Sequence, residues 1–536
     1  TDEQVARVAA SGAEQAFADG AVVFDQGESE APLYVVLDGE LELVNPGVHG
    51  EAPVNVLGRH QFTGEIGLLT SEGTLVRARA RGAVRLVRVE NARLRTLIQT
   101  DAELSELVMR AFILRRVGLF AAGWGDAVVI GSRDSAATVR LQDFLVHSGH
   151  PHRYVDVGRD PQVQALLDEF HVGIGDIPIL ICRGERVLRN PSDAEVAECL
   201  GITARLAPSA VYDVVICGAG PGGLAAAVYG ASEGLDVLVL DATAPGGQAA
   251  TSSKIENYLG FPTGISGEAL AARALAQAEK FGARIAVARA AVRIAPEQTT
   301  LRIDLDDGES VRARAIVIAT GAQYRKLEVA ELARYEGLGV YYAATYVESQ
   351  RCDKEEVIVV GGGNSAGQAA TFLARTSAHV HLCIRGADLA ASMSRYLIRR
   401  IEETPNITLH RQTRIVALEG GEHLERVRWR DEARGETETR PIRHVFTMAG
   451  AAPNSAWLRG CVAMDANGFV YTGIDVPDEL LAANKWPLAR RPYLFETSRP
   501  HVFAVGDVRA NSVKRVASAV GEGSVCIQLV HRVLRE

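Results

Sequence analysis

Three glycines in a Gly-x-Gly-x-x-Gly spacing constrain this chain more than any other feature. They are Gly218, Gly220 and Gly223. An apolar, β-branched run at 214–217 precedes them, which is typical of a strand buried on both faces. An Ala-rich run with helical periodicity follows at 224–232, and a second apolar strand at 236–240 ends on Asp241. This order predicts one strand–turn–helix–strand unit.

Each glycine of this unit has a mechanical reason. Gly218 permits a tight turn, Gly220 lets a pyrophosphate approach the backbone, and Gly223 lets the helix pack close to the strand. The first N–H groups of the helix face the phosphates, and Asp241 can accept a hydrogen bond from a ribose hydroxyl. A lone glycine motif is weak evidence, but these parts in register predict a dinucleotide-binding site.

A second unit of the same kind lies downstream. Its turn reads Gly-x-Gly-x-x-Ala and consists of Gly361, Gly363, Asn364, Ser365 and Ala366. An NADH site usually has an acid at the end of the second strand, whereas this chain has Arg385. A cation there favours the 2′-phosphate of NADPH, and Arg395 could reach in from the next helix. We therefore predict an NADPH site, with NADH as the alternative.

Composition limits the other function classes. The 536 residues suffice for about three or four domains, and 47% hydrophobic content with 52 glycines is typical of a soluble α/β protein. A net charge of −9 argues against a nucleic-acid partner, and no apolar run is long enough to predict a membrane span. The first residues carry no signal-peptide pattern, and no metal site is predicted.

The seven cysteines form no Cys-x-x-Cys pair anywhere in the chain. An odd, scattered set indicates reduced thiols that mostly fill cores, so we expect a cytoplasmic protein.

Residues 1–120 alternate short strands with glycine turns and end in a helix. The strings FDQGE, LYVVLDGELELV and FTGEIGLLTSEGTLVRARA resemble the cyclic-nucleotide-binding domain family. The resemblance implies that Gly64 and Glu65 begin a phosphate-binding segment, with Glu65 on the ribose. Thr74 stands where that family has its phosphate-binding Arg, and Arg77 is a nearby substitute. A cyclic nucleotide, another nucleotide and a purely structural role all stay open.

Residues 125–202 follow a predicted linker at 118–125 and precede another at 201–210. Their strand and helix order resembles the glutaredoxin/thioredoxin-like family, with Pro178 at that family's cis-proline position. Ser135 and Thr138 occupy the places of its redox cysteines. Hydroxyls cannot cycle through a disulfide, so we predict a docking or spacer role. Cys182 and Cys199 are expected to be packed rather than reactive.

From Tyr212 onwards the chain resembles the thioredoxin-reductase family of flavoproteins. The motifs APGGQ, KIENYLGFP, IVIATGA, HVFAVGDV and SVKRVASAVGEG carry the resemblance. It implies FAD binding, and it assigns to the FAD site Gly246, Gly247, Gln248, Asn257, Thr320, Gly321, Gly506, Asp507, Arg515 and Val516. Val516 replaces the Gln that usually follows the Arg. The family also implies a homodimer.

The decisive departure from that family is its missing disulfide. Ala343 and Tyr346 occupy the two cysteine positions, and Cys352 is a lone thiol nearby. Tyr341, Tyr342 and Tyr346 are candidates to line the flavin, with simple packing as the alternative. No acid–base catalytic residue is predicted, because hydride transfer to a flavin needs only the nicotinamide facing it.

The sequence therefore predicts a multidomain α/β protein with two Rossmann-like domains. The predicted segments are 1–120, a β-roll with helices; 125–202, the thioredoxin-like module; 210–330, the first part of the FAD domain; 331–445, the NAD(P) domain; and 446–536, the second part of the FAD domain. We expect an NAD(P)H-dependent FAD oxidoreductase whose acceptor is a quinone, a flavo- or iron–sulfur protein, or oxygen. A ferredoxin–NADP reductase-like enzyme and a non-enzymatic redox sensor are the alternatives.

Overall fold

The computed structural model describes residues 1–536 apart from a set of short segments. These are 29–31, 48–49, 65–73, 75, 123–126, 133–134, 159–175, 183–185, 208, 345 and 422. Glu65 and the helix predicted over 162–170 lie outside the described residues. The side chains of 47, 50, 112–114, 116–122, 346 and 347 are also not described.

The first domain is a β-roll followed by two helices. Helix α1 spans Asp2–Ala9, and the strands are β1 (Ala13–Phe17), β2 (Val22–Phe24), β3 (Leu33–Gly47), β4 (Gly50–Leu57), β5 (Phe62–Thr63) and β6 (Arg77–Val89). They form an antiparallel sheet in the order β1-β6-β3-β4, with β2 on β6 and β5 on β3. Helices α2 (Asn91–Thr100) and α3 (Ala102–Ala122) follow.

The linker predicted at 118–125 is wrong in its first half, because α3 continues through Ala122. The glycine that suggested a break lies within this helix. A single glycine costs a helix only about 1 kcal/mol relative to alanine, which the apolar residues around it can offset.

A four-stranded sheet forms the next unit, residues 127–200, which we term the middle module. It contains β7 (Ala127–Gly131), α4 (Ala136–His147), β8 (His152–Asp156), β9 (Ile179–Cys182), β10 (Arg186–Arg189) and α5 (Asp193–Leu200). The strand order is β10-β9-β7-β8, with β8 parallel and β9 antiparallel to β7. The Ile177–Pro178 bond is cis, as predicted.

The expectation that every cysteine is reduced is wrong for one pair. Cys182, at the end of β9, and Cys199, on α5, form a disulfide with their Cα atoms 6.5 Å apart. That separation lies within the ordinary range for a disulfide. The pairing depends on how α5 packs against β9, which no spacing in the sequence reveals. The other cysteines, Cys217, Cys352, Cys383, Cys461 and Cys526, are free.

The first Rossmann-like unit is built on a parallel sheet. Its elements are β11 (Val211–Cys217), α6 (Pro221–Ser232), β12 (Val237–Leu240), α7 (Gly247–Ala250), α8 (Gly267–Lys280) and β13 (Arg284–Ala286). A meander follows, made of β14 (Ala291–Pro296), β15 (Leu301–Leu305) and β16 (Ser310–Ile318). The sheet order is β13-β12-β11-β16-β15-β14.

The second Rossmann-like unit interrupts the first. It comprises α9 (Leu332–Tyr335), β18 (Val340–Tyr341), α10 (Tyr346–Arg351), β19 (Glu356–Val360), α11 (Asn364–Leu373), β20 (His379–Cys383), α12 (Arg395–Glu403), β21 (Ile407–His410) and β25 (His444–Thr447). These strands are all parallel, in the order β18-β25-β19-β20-β21. An antiparallel meander is inserted, made of β22 (Thr413–Gly420), β23 (Leu424–Asp431) and β24 (Glu436–Arg440).

Two short crossing strands, β17 (Ala322–Gln323) and β26 (Ala452–Pro453), join the two units where the chain leaves and returns. The chain then completes the first sheet. Helix α13 (Asp478–Ala483) precedes β27 (Val502–Ala504), which pairs in parallel with β16, and the last helix is α14 (Val516–Val533). Among the helices of the described residues, none combines the length and the apolar composition that crossing a bilayer requires.

Candidate dinucleotide-binding sites

The first glycine turn has the predicted close approaches. Gly218 has a φ of +112°, and a Cβ there would collide with the carbonyl oxygen of Ala319. A Cβ on Gly223 would collide with the carbonyl oxygen of Gly218, so the helix can begin here only with glycine. At Gly220 the nearest atom to such a Cβ is the Cα of Gly247, 3.9 Å away. That open space above α6 is a cradle that a diphosphate fits.

The Asp241 carboxylate is bonded to its own turn. One oxygen accepts a hydrogen bond from the N–H of Ala219 at 2.6 Å, and the other accepts from the N–H of Thr243 at 2.9 Å. Burial raises the pKa of Asp241, and these bonds oppose that rise. Asp241 thus fixes the turn, while its contact with a ribose stays a prediction.

Several other predicted residues gather at the carboxyl edge of the same sheet. Gly246 donates its N–H to the carbonyl oxygen of Ala219 at 2.8 Å, which brings the Gly246–Gly247 loop beside Gly220. The Gln248 side chain next to them is exposed. Thr320 donates its hydroxyl hydrogen to the carbonyl oxygen of Asn454 at 2.8 Å, and Gly321 follows it with a φ of +64°.

The carboxyl end of β27 adds Gly506 and Asp507 to this edge. Burial raises the pKa of Asp507, and the ammonium of Lys514 opposes the rise. Sequence reasoning missed Glu522, which accepts the N–H of Gly506 at 2.7 Å and pairs with Arg509 at 2.7 Å. A lone acid between two glycines in an otherwise apolar helix was the available signal.

The amino terminus of α14 also lies at this edge. Arg515 is its exposed N-cap residue, and Val516 packs on the small apolar core of Ala249, Ile255 and Ile265. Asn257 is exposed in the neighbouring loop.

The second glycine turn has the same backbone arrangement but different polar side chains around it. A Cβ on Gly361 would lie 2.6 Å from the carbonyl oxygen of Met448, whereas one on Gly363 would meet nothing closer than 4.0 Å. The Asn364 side chain accepts the N–H of Ser394 at 2.8 Å, which holds the start of α12 over the turn. Ala366 is buried beneath it.

Arg385 lies two residues after the end of β20, and its side chain is exposed. It forms no ion pair with any described residue. Arg395, the first residue of α12, is exposed as well. Both cations are therefore available to an anion at this turn.

Tyr324, a residue that sequence reasoning missed, lies between the second glycine turn and the carboxyl end of β27. Its ring packs against the apolar core of the second unit. Burial raises the pKa of its hydroxyl, a hydrogen bond with Ser365 opposes the rise, and the Asp507 carboxylate is close enough to contribute. Glu256 and Arg400 form a further bridge between the units at 2.7 Å.

The cysteine next to positions 343 and 346, where the family has its redox pair, is Cys352. Cys352 is fully buried, its sulfur lies 3.5 Å from the carbonyl oxygen of Glu348, and burial raises its pKa to about 11. A thiol with that pKa is protonated at neutral pH and is a poor nucleophile.

Tyr341 and Tyr342, two of the candidate flavin-lining residues, make their observed contacts within the second unit. Tyr341 lies 5.2 Å from the ring of Phe446 in the core of the second unit, and Tyr342 donates its hydroxyl hydrogen to Glu336 at 2.5 Å. The side chain of Tyr346 lies outside the described residues.

Arg77, the predicted phosphate contact of the N-terminal domain, forms ion pairs with two carboxylates of the same domain. Arg77 holds both oxygens of Asp25, at 2.8 and 2.9 Å, and an oxygen of Glu51 at 2.6 Å. Thr74 is buried and bonds the backbone of Asp25 and Glu28. Gly64 has a φ of +99°. An incoming phosphate would have to displace two carboxylates from Arg77.

Comparison with known proteins agrees with this architecture. Residues 212–523 match the family "Pyridine nucleotide-disulphide oxidoreductase", and residues 14–101 match "Cyclic nucleotide-binding domain". The thioredoxin reductase of Mycolicibacterium smegmatis is 33% identical over 320 residues, which are 58% of this chain and 93% of the relative. The NADPH-dependent thioredoxin reductase 3 of Arabidopsis thaliana is 31% identical, over 60% of this chain and 58% of the relative.

A solved structure shares the fold of the same part. The Lactococcus lactis thioredoxin reductase, in a form described as the FR conformation, has a TM-score of 0.54 at 27% identity, over 61% of this chain and all of its own. The predicted fold class and the predicted class of flavin-dependent oxidoreductase are confirmed. The chain belongs to the pyridine nucleotide-disulphide oxidoreductase family and has an N-terminal cyclic nucleotide-binding domain.

Proposed function

We propose that this protein is an NADPH-dependent FAD oxidoreductase that works without an active-site disulfide. One observation carries the proposal: the chain has two glycine turns with room for a diphosphate, while Cys352, the cysteine next to positions 343 and 346, is buried with its pKa raised to about 11. FAD accepts a hydride that NADPH donates, so the reaction needs no thiol.

The residues of the first unit suit FAD. The cradle at Gly220, the exposed Gln248 and the amino terminus of α14 offer N–H and amide donors to phosphate and flavin oxygens. Asp507, held in place through the Gly506–Glu522 bond, can accept a hydrogen bond from a hydroxyl of the ribityl chain.

The residues of the second unit suit NADPH. Its turn has room for a diphosphate at Gly363, and the exposed Arg385 is the cation nearest the end of β20. A guanidinium binds a 2′-phosphate through charge-assisted hydrogen bonds that a 2′-hydroxyl cannot match. NADH remains the weaker alternative.

We infer that a cytoplasmic homodimer passes the electrons to an acceptor other than a thioredoxin. Quinones, oxygen, and flavo- or iron–sulfur proteins, as in a ferredoxin–NADP reductase, fit the absence of a disulfide from 343–346.

We further infer that the N-terminal domain regulates the flavin site through α8. Ala276 belongs to the apolar core of the N-terminal domain, beside Leu94 and Val108. At the other end of the helix, a Cβ on Gly267 would collide with the carbonyl oxygen of Ala249, in the loop beside Gly246. A rigid helix that packs tightly at both ends can transmit a displacement between them.

The reductase proposal is tested by anaerobic titration of the purified protein with NADPH and then with NADH. Loss of the flavin absorbance near 450 nm, faster with NADPH, supports it. A bound flavin that stays oxidised with either nucleotide contradicts it and favours the redox sensor.

The regulatory proposal is tested by comparing Ala276→Glu with Ala272→Glu, a control on the exposed side of the same helix. Cyclic AMP or cyclic GMP should change the rate of flavin reduction in the native protein and in A272E but not in A276E. A nucleotide response that survives in A276E would show that α8 is not the connection.

A further inference from the structure

The outward face of α4 lies against the second Rossmann-like unit, with Ala136 at its start still exposed and Asp143 and His147 partly buried. The inward side chains of this helix, which pack in the module's own core, are Thr138, Leu141, Phe144 and Leu145. Ala136, Asp143 and His147 follow the spacing i, i+7 and i+11, so they share the opposite face. Ionisable residues on such a face ordinarily point into water.

Segment 337–351 of the second unit contacts this face of α4. A Cβ on Gly337 would lie 3.4 Å from the Cβ of Ala136. Glu348, only 6% exposed, and Arg351 both act electrostatically on Asp143, and Glu348 also acts on His147. Arg351 donates to the carbonyl oxygen of Gly337 at 3.3 Å, which ties the two ends of the segment together.

The two surfaces in contact are the two that lack their expected cysteines. Ser135 caps α4, and Thr138 lies in its first turn. Ala343 and Tyr346 lie inside the covering segment. The interface buries ionisable groups, which is costly unless a stable contact compensates for it.

We propose that the middle module is a fixed cap on segment 337–351, which closes that face to other proteins and stays in place while the flavin is reduced. A carrier module would have to leave this face in each cycle, whereas a cap need not. The electron acceptor must then reach the flavin from another side.

A designed cross-link tests the proposal directly. Disulfides require Cβ atoms roughly 3.5–4.5 Å apart, and positions 136 and 337 come within 3.4 Å. In the full chain, Ala136→Cys with Gly337→Cys should form a disulfide under mild oxidation, identified by peptide mapping. NADPH oxidation with a small quinone as acceptor should equal that of the same variant after reduction.

Two results would overturn the cap. Failure of the folded double variant to cross-link would mean that the surfaces are not in contact. A cross-link that stops turnover until dithiothreitol is added would mean that the module has to move. The turnover measurement rests on the proposed function, whereas the formation of the cross-link does not. Failure of the cap and failure of the proposed function can therefore be distinguished.

A second pair of variants covers the risk that a cysteine at Gly337, where φ is +78°, prevents folding. Asp143→Arg places a second guanidinium opposite Arg351, whereas Glu198→Arg makes the same change at an exposed position of the module. Hydrogen exchange at 346–351 should become about tenfold faster in D143R and stay unchanged in E198R. Equal exchange in both variants would contradict the cap.

Discussion

The two glycine turns share one backbone plan, but they treat their terminal polar residue in opposite ways. Asp241 is bonded to the N–H groups of its own turn. Arg385 extends from the end of β20 without an ion pair among the described residues. The Asp241 carboxylate stabilises the shape of its own turn, which suits a site that keeps its ligand. The Arg385 guanidinium, unpaired in the part of the chain that the structure describes, suits a ligand that binds and dissociates. Under the proposed function, the first site retains a prosthetic group and the second exchanges its nucleotide.

Matched glycine substitutions should give the largest difference between the sites. Gly218→Val should abolish flavin binding, because its side chain would meet the carbonyl oxygen of Ala319. Gly361→Val should leave the protein yellow but stop reduction by NADPH, because its obstruction is at Met448. Absorbance spectra before and after adding NADPH measure both. Loss of flavin from both variants would contradict the division of roles.

The next effect concerns which nucleotide the second site prefers. Arg385→Ala should raise the KM for NADPH roughly 10–100-fold, because a charge-assisted hydrogen bond contributes about 1.5–3 kcal/mol. The KM for NADH should change little. Arg399→Ala, an exposed arginine on α12, is the control and should alter neither value. Equal losses with both nucleotides would mean that Arg385 does not contact the 2′-phosphate.

Two buried carboxylates should respond oppositely to removal of their charge. Asp241→Asn weakens accepted hydrogen bonds and should lower the free energy of unfolding by about 1–2 kcal/mol. Asp143 faces Glu348 and Arg351, and burial raises its pKa from 3.8 to about 7. Asp143→Asn should therefore stabilise the protein at pH 8.

The pH dependence of Asp143 has a definite sign. Folded protein keeps a proton that the unfolded chain releases between about pH 4 and about pH 7, so its free energy of unfolding falls across that window. Urea denaturation of D143N should lack this fall. A D143N profile that matches the native one would mean that Asp143 keeps an ordinary pKa.

The smallest expected effect is a difference in the number of free thiols before and after reduction. Ellman's reagent in denaturant should find the five free cysteines of the structure without a reductant, and the Cys182–Cys199 pair in addition after reduction. Seven thiols without a reductant would restore the all-reduced expectation drawn from the sequence.

Periodicity and glycine spacing predicted most of the fold because both arise within a single strand–turn–helix unit. The helix at Asp193–Leu200 and the strand that ends at Asp241 have the expected positions. Gly118 suggested a break, but α3 continues through it to Ala122.

The parts that escaped prediction depend on contacts between distant segments. Tyr324 matters only because Ser365 and Asp507 come to it from other units. Glu522 bonds Gly506 across the start of α14, and Arg77 forms ion pairs with Asp25 and Glu51. A single sequence contains no local signal for such pairings.

The most direct test of the account is the number of electrons that the flavin site accepts. In an anaerobic titration, about one equivalent of NADPH per FAD should complete the bleaching, since a flavin alone takes one hydride. The account predicts this endpoint in the native protein and also in Cys352→Ser. An endpoint near two equivalents in the native protein that falls to one in C352S would show thiol chemistry at this site and contradict the account.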